Sequence, residues 1–364
     1  MSQNIPPPKN IIKSINNETV SASNLAQMKA GQLITVKGHI NDNNFNGVIS
    51  ATVRDAKEKI TCRRNDETSA DTAFVFSDRT KNIFNGSSPV NNSRFSFSFA
   101  VPKDISYSNQ TGLINLFAVN NDNTQTLNGY NEDFTIGGDT LAKNDSIGPS
   151  IYCYLNSTSF ADGGKVNATP YFFAQISDKN GLNVTGNSIG HDLELIIDNE
   201  TSKTYILNEN FTYDFSSYTS GSTYYSLPEL SEGMHTLKFR AWDIYNNSST
   251  AELKFNVVKG LEPTIFNISC TNNPASTNTT FVITNDRIAS DVDICIDVFD
   301  MSGRILWTHK ESGSSTSNTY TVNWNLTTDT GAAIQTGVYL YRVRLSSDGS
   351  SKASKAKKLI IIHK

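Results

Sequence analysis

Nowhere in the 364 residues does an apolar run approach the ~20 needed to span a bilayer as a helix. The start is equally bare: Met1 is followed by polar and proline-rich sequence without the apolar segment of a signal peptide, so an exported protein would carry that signal elsewhere, on a longer precursor. Charge is sparse, at 18% of residues, and the net of -4 comes from 31 basic and 35 acidic side chains spread along the chain. No basic face for DNA or RNA results, and nucleic acid is excluded as an expected partner. The basic cluster Lys352, Lys355, Lys357 and Lys358 lies beside the final apolar run, where lysines commonly protect a sheet edge.

Cysteine is also scarce. Cys62, Cys153, Cys270 and Cys295 form neither a CxxC redox pair nor a zinc-ligand spacing, and Cys153 and Cys295 sit inside apolar strand patterns as small core residues. A Cys270–Cys295 disulfide is one open pairing. Phosphate-cradling loops are missing too, since Gly137-Gly138 and Gly163-Gly164 build neither GxGxxG nor GxxxxGK[ST] and read as turns.

What fills the chain instead is Asn, Ser and Thr between short alternating runs, which prefer turns and strands to helix interiors. The expected fold is all-β: tandem antiparallel β-sandwich modules, the last Ig-like. Residues 1–31 read as a leader with a first strand, and Asn4-Ile5-Pro6-Pro7-Pro8-Lys9 as a polyproline-like exit from a preceding domain. Residues 32–144 hold a first sandwich, with strands expected at Leu33–Ile40, Gly47–Arg54, Ala73–Phe76, Arg94–Val101, Gly112–Val119 and Glu132–Ile136.

After Asp145-Ser146-Ile147-Gly148-Pro149 the pattern resets. Residues 145–259 give strands at Ser150–Leu155, Tyr171–Ser177, Asp192–Asp198, Tyr224–Leu227, His235–Asp243 and Ala251–Val257, and a large indole such as Trp242 is expected to be buried. Residues 260–364 form the third sandwich, with strands at Ile265–Cys270, Thr279–Thr284, Asp291–Asp300, Ile305–His309, Tyr320–Trp324, Gly337–Ser346 and Lys357–His363. A tight turn at Asp300–Arg304 needs Gly303 for its positive φ.

No catalytic or cofactor-binding residue stands out. A cysteine peptidase needs a thiolate beside an imidazole, and His39, His191, His235, His309 and His363 are dispersed along strands and their edges, as structural or surface histidines would be. The loop Ser177–Asn183 is the one metal candidate. Asp178, Asn180 and Asn183 could offer oxygens to Ca²⁺, but the loop lacks the closing bidentate Glu of an EF-hand, and Asx-turn hydrogen bonding accounts for the same residues. Phe95, Phe97 and Phe99 at period two, with Tyr171-Phe172-Phe173, would form either a stacking platform or the core face of a strand, and core packing is the expected role.

The third module also carries a resemblance. Asp297–Trp307, Trp324, Gly331 and Gly337–Arg342 resemble the Ig-like fold of the flagellar hook-cap protein and of the C-terminal sorting domains of type IX secretion cargo. Ser347-Asp348-Gly349 with Lys355–Ile360 resembles, more narrowly, the C-terminus of type IX secretion sortases in the gingipain-type cysteine peptidase family. Phe99–Ile105 with Tyr107, Gly190-His191-Asp192, Leu227, Gly233–Leu237, Ala241-Trp242-Asp243 and Asn246-Asn247-Ser248 resemble the β-rich region after the peptidase domain of that family.

The resemblance implies a surface enzyme, at the outer membrane of a Gram-negative bacterium, that removes the sorting domain from exported cargo and joins the cargo to a lipopolysaccharide anchor. Its catalytic Cys/His pair lies in a peptidase domain outside these 364 residues, so no catalytic residue carries over. The expected partners are the other domains of the parent peptidase, secretion-machinery proteins or cargo. The alternatives are an exported surface protein or adhesin whose last module is the sorting signal, and a carbohydrate-binding module with an exposed aromatic platform.

Overall fold

The computed structural model describes residues 11–42, 44–62, 72–140, 145–186 and 190–362. The proline-rich leader Asn4–Lys9 and His363 therefore lie outside the described residues. What is described is all-β, with short antiparallel sheets in sandwich-like modules, two single-turn 3₁₀ segments and no α-helix.

The first sheet runs in the order Thr126–Asn131, Leu113–Asn120, Gly47–Arg54, Asn82–Asn91, Arg94–Ala100, Leu33–His39, Ile12–Ile15, Glu18–Thr19. Facing residues alternate as a half-buried strand requires: Ile34 and Val36, Ile49, Ala51 and Val53, and Phe95, Phe97 and Phe99 are all buried. The three phenylalanines stack along their strand at 6.3 Å, which settles the platform question for them in favour of core packing. Each ring contributes about 1.5–3 kcal/mol by burial. A second, three-stranded sheet contains Gln110–Thr111, Phe134–Asp139 and Ala26–Ala30, the last two parallel.

The strand Asn82–Asn91 is not among the expected ones, and it contains Gly86 and Pro89. Its glycine is there for space. A Cβ at Gly86 would stand 2.3 Å from the ring of Phe84, which packs on Phe97, Phe99 and Tyr213. Pro89 is tolerated because hydrogen-bonded pairing with Arg94–Ala100 is limited to Val90 and Asn91.

The middle strands form one sheet of Ser150–Leu155, Tyr171–Ser177, Ser220–Ser226 and Thr212–Tyr213, and another of Lys165–Val166, Ser248–Val257, Gly233–Asp243, Glu194–Ile197 and Thr204–Ile206. On Gly233–Asp243 the inner residues Leu237, Phe239 and Ala241 are fully buried. Trp242 sits on the opposite face beside Arg240 and is only half-buried.

The C-terminal strands make an Ig-like sandwich. Ile265–Cys270, Thr279–Asn285 and Thr319–Trp324 face a sheet of Ile305–Gly313, Val292–Phe299, Gly337–Ser347, Ser350–Ala353 and Lys357–Ile361. Phe281, Ile283, Ile296, Val298, Tyr341, Val343 and Leu359 form its core. The turn at Asp300 is built as expected. Gly303 has φ of +86°, and Asp300 accepts from the Ser302 hydroxyl and the Ser302 and Arg304 amides, bonds that lower its pKa with the Ser302 hydroxyl first among them.

The chain divides into two compact units. Unit 1 holds residues 1–152, 174–224 and 237–252, and unit 2 holds residues 153–173, 225–236 and 253–364.

Candidate functional site

Within unit 1, several motifs far apart in sequence meet at one carboxylate. The strand Arg94–Ala100 runs into Val101-Pro102-Lys103-Asp104, where the Lys103 amide donates to the Ile244 carbonyl at 3.0 Å. Ala100 packs on Ile244, Tyr245 and Tyr218, and the Lys103 ammonium lies over the Tyr245 ring. The Ile244–Asn247 turn is held by buried Asp243, whose carboxylate accepts the Tyr245 and Asn247 amides and the Asn247 side chain. This turn points Asn246 at Asp104.

Asp104 is the hub. Its Oδ1 accepts from Asn246 Nδ2 at 3.0 Å, its Oδ2 from Asn183 Nδ2 at 2.6 Å, and His191 Nδ1 lies 2.9 Å from Oδ2. The His191 ring tilts against Trp242 at 4.4 Å, and Arg240 covers the same indole while pairing with Glu194 at 2.6 Å. Trp242 therefore acts as a side wall for the histidine, with the Arg240 guanidinium over its ring as a stabilising cation. Next to His191, Asp192 has its pKa raised by burial and then by Glu194 and Asp104.

An Asp–His pair supplies two members of a nucleophilic triad, and the third would be a hydroxyl or thiol bonded to the imidazole. Among the described residues no Ser, Thr or Cys is bonded to His191. The thiols are tuned the wrong way as well. Burial pushes Cys153 up to about 11 and also raises Cys270 and Cys295, whereas a nucleophilic cysteine needs a lowered pKa. All four cysteines are free, so the Cys270–Cys295 pairing is not made. His235 bonds the Ser231 carbonyl and His309 bonds Glu311, each a local structural contact.

The calcium candidates are split between two hydrogen-bond groups. Asp178 Oδ1 accepts the Asn180 amide, and the Asn180 side chain donates to Asp145. Burial raises the Asp178 pKa, and the carboxylates of Asp243 and Asp145 add to it. Asn183 belongs to the Asp104 hub instead, where its Oδ1 accepts from Thr185. Among the described residues no group of three or more His, Cys, Asp or Glu is placed to hold a metal.

Two features escaped the sequence. His191 reads as a structural or surface histidine and is structural, at Asp104; that the motifs around it, with Trp242-Asp243 and Asn246-Asn247, meet at one carboxylate is what their separate positions do not display. The second is a hollow beside Trp307 and Trp324, signalled only by the Asn323-Trp324-Asn325 triplet.

No known protein family and no curated protein matches the chain. Solved structures do. The chain is similar to part of PorU. A crystal structure of dimeric latent PorU from Porphyromonas gingivalis matches at 30% identity over 97% of this chain and 34% of that one, with a TM-score of 0.44. The chain thus spans about a third of the PorU that it matches. The mixed-linkage glucan protein SGBP-B of Bacteroides ovatus matches at 11% identity, over 99% of this chain and 70% of that one, with a TM-score of 0.27. A tandem repeat from the extending region of a large adhesion protein matches at 13%, over 95% and 73%, with a TM-score of 0.21. The last two carry no functional argument.

No helix among the described residues is long and apolar enough to cross a membrane.

Proposed function

We propose that the chain is the non-catalytic β-region of a PorU-like type IX secretion sortase, built as modules 32–144, 145–259 and 260–364 behind a leader. In this reading it positions a gingipain-type peptidase domain at the cell surface and offers a docking face to secretion machinery or cargo. The observation that carries it is the 30% identity to PorU over 97% of the chain. The convergence of the resembling motifs on Asp104 supports it, since a shared internal contact is what would hold such segments alike.

The test is to sequence the gene upstream of residue 1. A peptidase domain with a Cys/His pair is the expected result, and an open reading frame without one refutes the proposal. An exported adhesin whose last module is a sorting signal is the second reading, favoured by the basic terminal strand Lys357–Ile361. It requires cleavage within 260–364, so surface protein of full mass ending at Lys364 refutes it.

Calcium at Asp178, Asn180 and Asn183 is a separate proposal with its own check. Calorimetric melting in millimolar calcium against chelator should raise the transition by several degrees if the ion is bound. An unchanged transition refutes it.

A further inference from the structure

Within unit 2, the sheet of Ile305–Gly313, Val292–Phe299, Gly337–Ser347 and Lys357–Ile361 has one face in the core, through Val298, Tyr341, Val343, Leu359 and Ile361. Side chains alternate along a strand, so Phe299, Val338, Leu340 and Ile360 point the other way. Register makes them neighbours. Phe299 stands opposite both Ile305 and Leu340, and Val338 stands opposite Ile360. The outward direction is fixed by contacts, since Arg342 lies over the Phe299 ring at 5.5 Å and pairs with Asp297 at 3.0 Å. Ile305 and Val338 are 50% and 42% exposed, and Met301 and Ile362 at the same end of the sheet are 68% and 45% exposed.

Behind this apolar end the same face is cationic. Arg342 comes one pleat repeat below Leu340, about 7 Å along the strand. In the following row Lys310 and Arg344 flank Cys295 from either side, about 13 Å from Phe299. Lys358 stands beside Leu340. The carboxylates of the face are already engaged: Asp297 by Arg342 and Thr308, Asp293 by the Ser312 hydroxyl, and Asp300 by its own turn. Among the described residues no carboxylate pairs with Lys310, Arg344 or Lys358.

We propose that this face rests on an anionic lipid bilayer, tilted so that Ile305, Val338, Ile360 and Ile362 enter the headgroup boundary while Lys310, Arg344 and Lys358 meet lipid phosphates. Apolar side chains leading cations by about 7–13 Å match a surface that is entered only about 5–10 Å deep. A partner peptide fits less well, because peptides dock in a groove or on a free strand edge. The patch is an open sheet face, and the edges beside it are closed. Asp329 bonds the Leu306 carbonyl and the Thr308 amide on one side, and Ala275 bonds the Ile360 carbonyl and the Ile362 amide on the other. The chain as a whole is acidic, with a net charge of -4, so attraction to anionic lipid has to come from a local face such as this one. The inference goes beyond the function proposed above and stands or falls apart from it, because binding by this chain does not depend on what precedes residue 1.

The test is co-sedimentation of the full 364-residue chain with phosphatidylcholine vesicles, with and without about 30% phosphatidylglycerol. Half of the protein is expected to bind at about 1 mM lipid when phosphatidylglycerol is present, and salt of about 0.5 M should release it. Lys310→Gln/Arg344→Gln should weaken binding at least about tenfold, since each cation near an anionic surface contributes about fivefold. Ile305→Thr/Val338→Thr, at two exposed strand positions, should weaken it at least about fivefold with the melting transition unchanged. Binding that is absent up to about 5 mM lipid, or equal with and without phosphatidylglycerol, overturns the proposal. Binding that survives both double variants also overturns it. So does a dimer in sedimentation velocity that Ile305→Thr/Val338→Thr dissociates, because the patch would then be covered by a second copy of the chain.

Discussion

Replacing Asp104 with alanine is expected to cost unit 1 about 3–5 kcal/mol, the range for removing one partner of a buried charged network. Three donors converge on this carboxylate, from Asn183, Asn246 and His191, and its own side chain is 11% exposed. Alanine leaves Asn183, which is fully buried, with an amide nitrogen whose remaining acceptor is Asn246 Oδ1 at 3.3 Å. Losing an acceptor while the donors stay buried is dearer than losing the pair together.

The measurement is hydrogen exchange along Leu182–Asn183 and Ile244–Asn247 beside calorimetric melting of the whole chain, because a multi-module chain need not unfold in one step. Asp104→Asn keeps the shape but replaces one of the two accepting oxygens with an amide nitrogen that faces a donor, so it should recover less than half of the loss. A loss below about 1 kcal/mol would mean that solvent satisfies these groups and that the convergence at Asp104 is not a structural lock.

How far this centre could be read beforehand differs by element. Strands with clean alternation were placed to within a residue or two: Ser150–Leu155, Tyr171–Ser177 and Ile265–Cys270 appear with the expected bounds. Alternation is a local property, so the sequence displays it directly. Asn82–Asn91 is a strand not expected: its Gly86 leaves room for the ring of Phe84 two residues earlier, a packing need that alternation does not display. The Asp104 hub was visible as separate polar motifs but not as a site. Asp104, Asn183, His191 and Asn246 span more than a hundred residues, and only the long-range pairing of sheets puts them together. Asn183 shows the same dependence on long-range pairing: it lies five residues from Asp178, yet its side chain donates to Asp104.

Removing Asp286 should destabilise the C-terminal sandwich by a similar amount, for a different reason. Arg287 is a fully buried cation with its Nη1 3.0 Å from Asp286 Oδ1 and its Nη2 donating to the Leu261 carbonyl at 2.6 Å. Asp286→Ala leaves that charge in the protein interior without its counter-ion, a change worth about 3–5 kcal/mol. It also removes the acceptor for the Thr264 amide, which anchors the segment entering Ile265–Cys270. The informative partner is Arg287→Met in the same background. If the cost comes from the stranded charge, the second substitution should restore most of the stability, since an apolar chain of similar length needs no counter-ion. Hydrogen exchange at Phe281–Ile283 and Ile294–Val298 reports this core directly. If the double variant is no more stable than Asp286→Ala alone, the loss lies in the Thr264 contact and not in the ion pair.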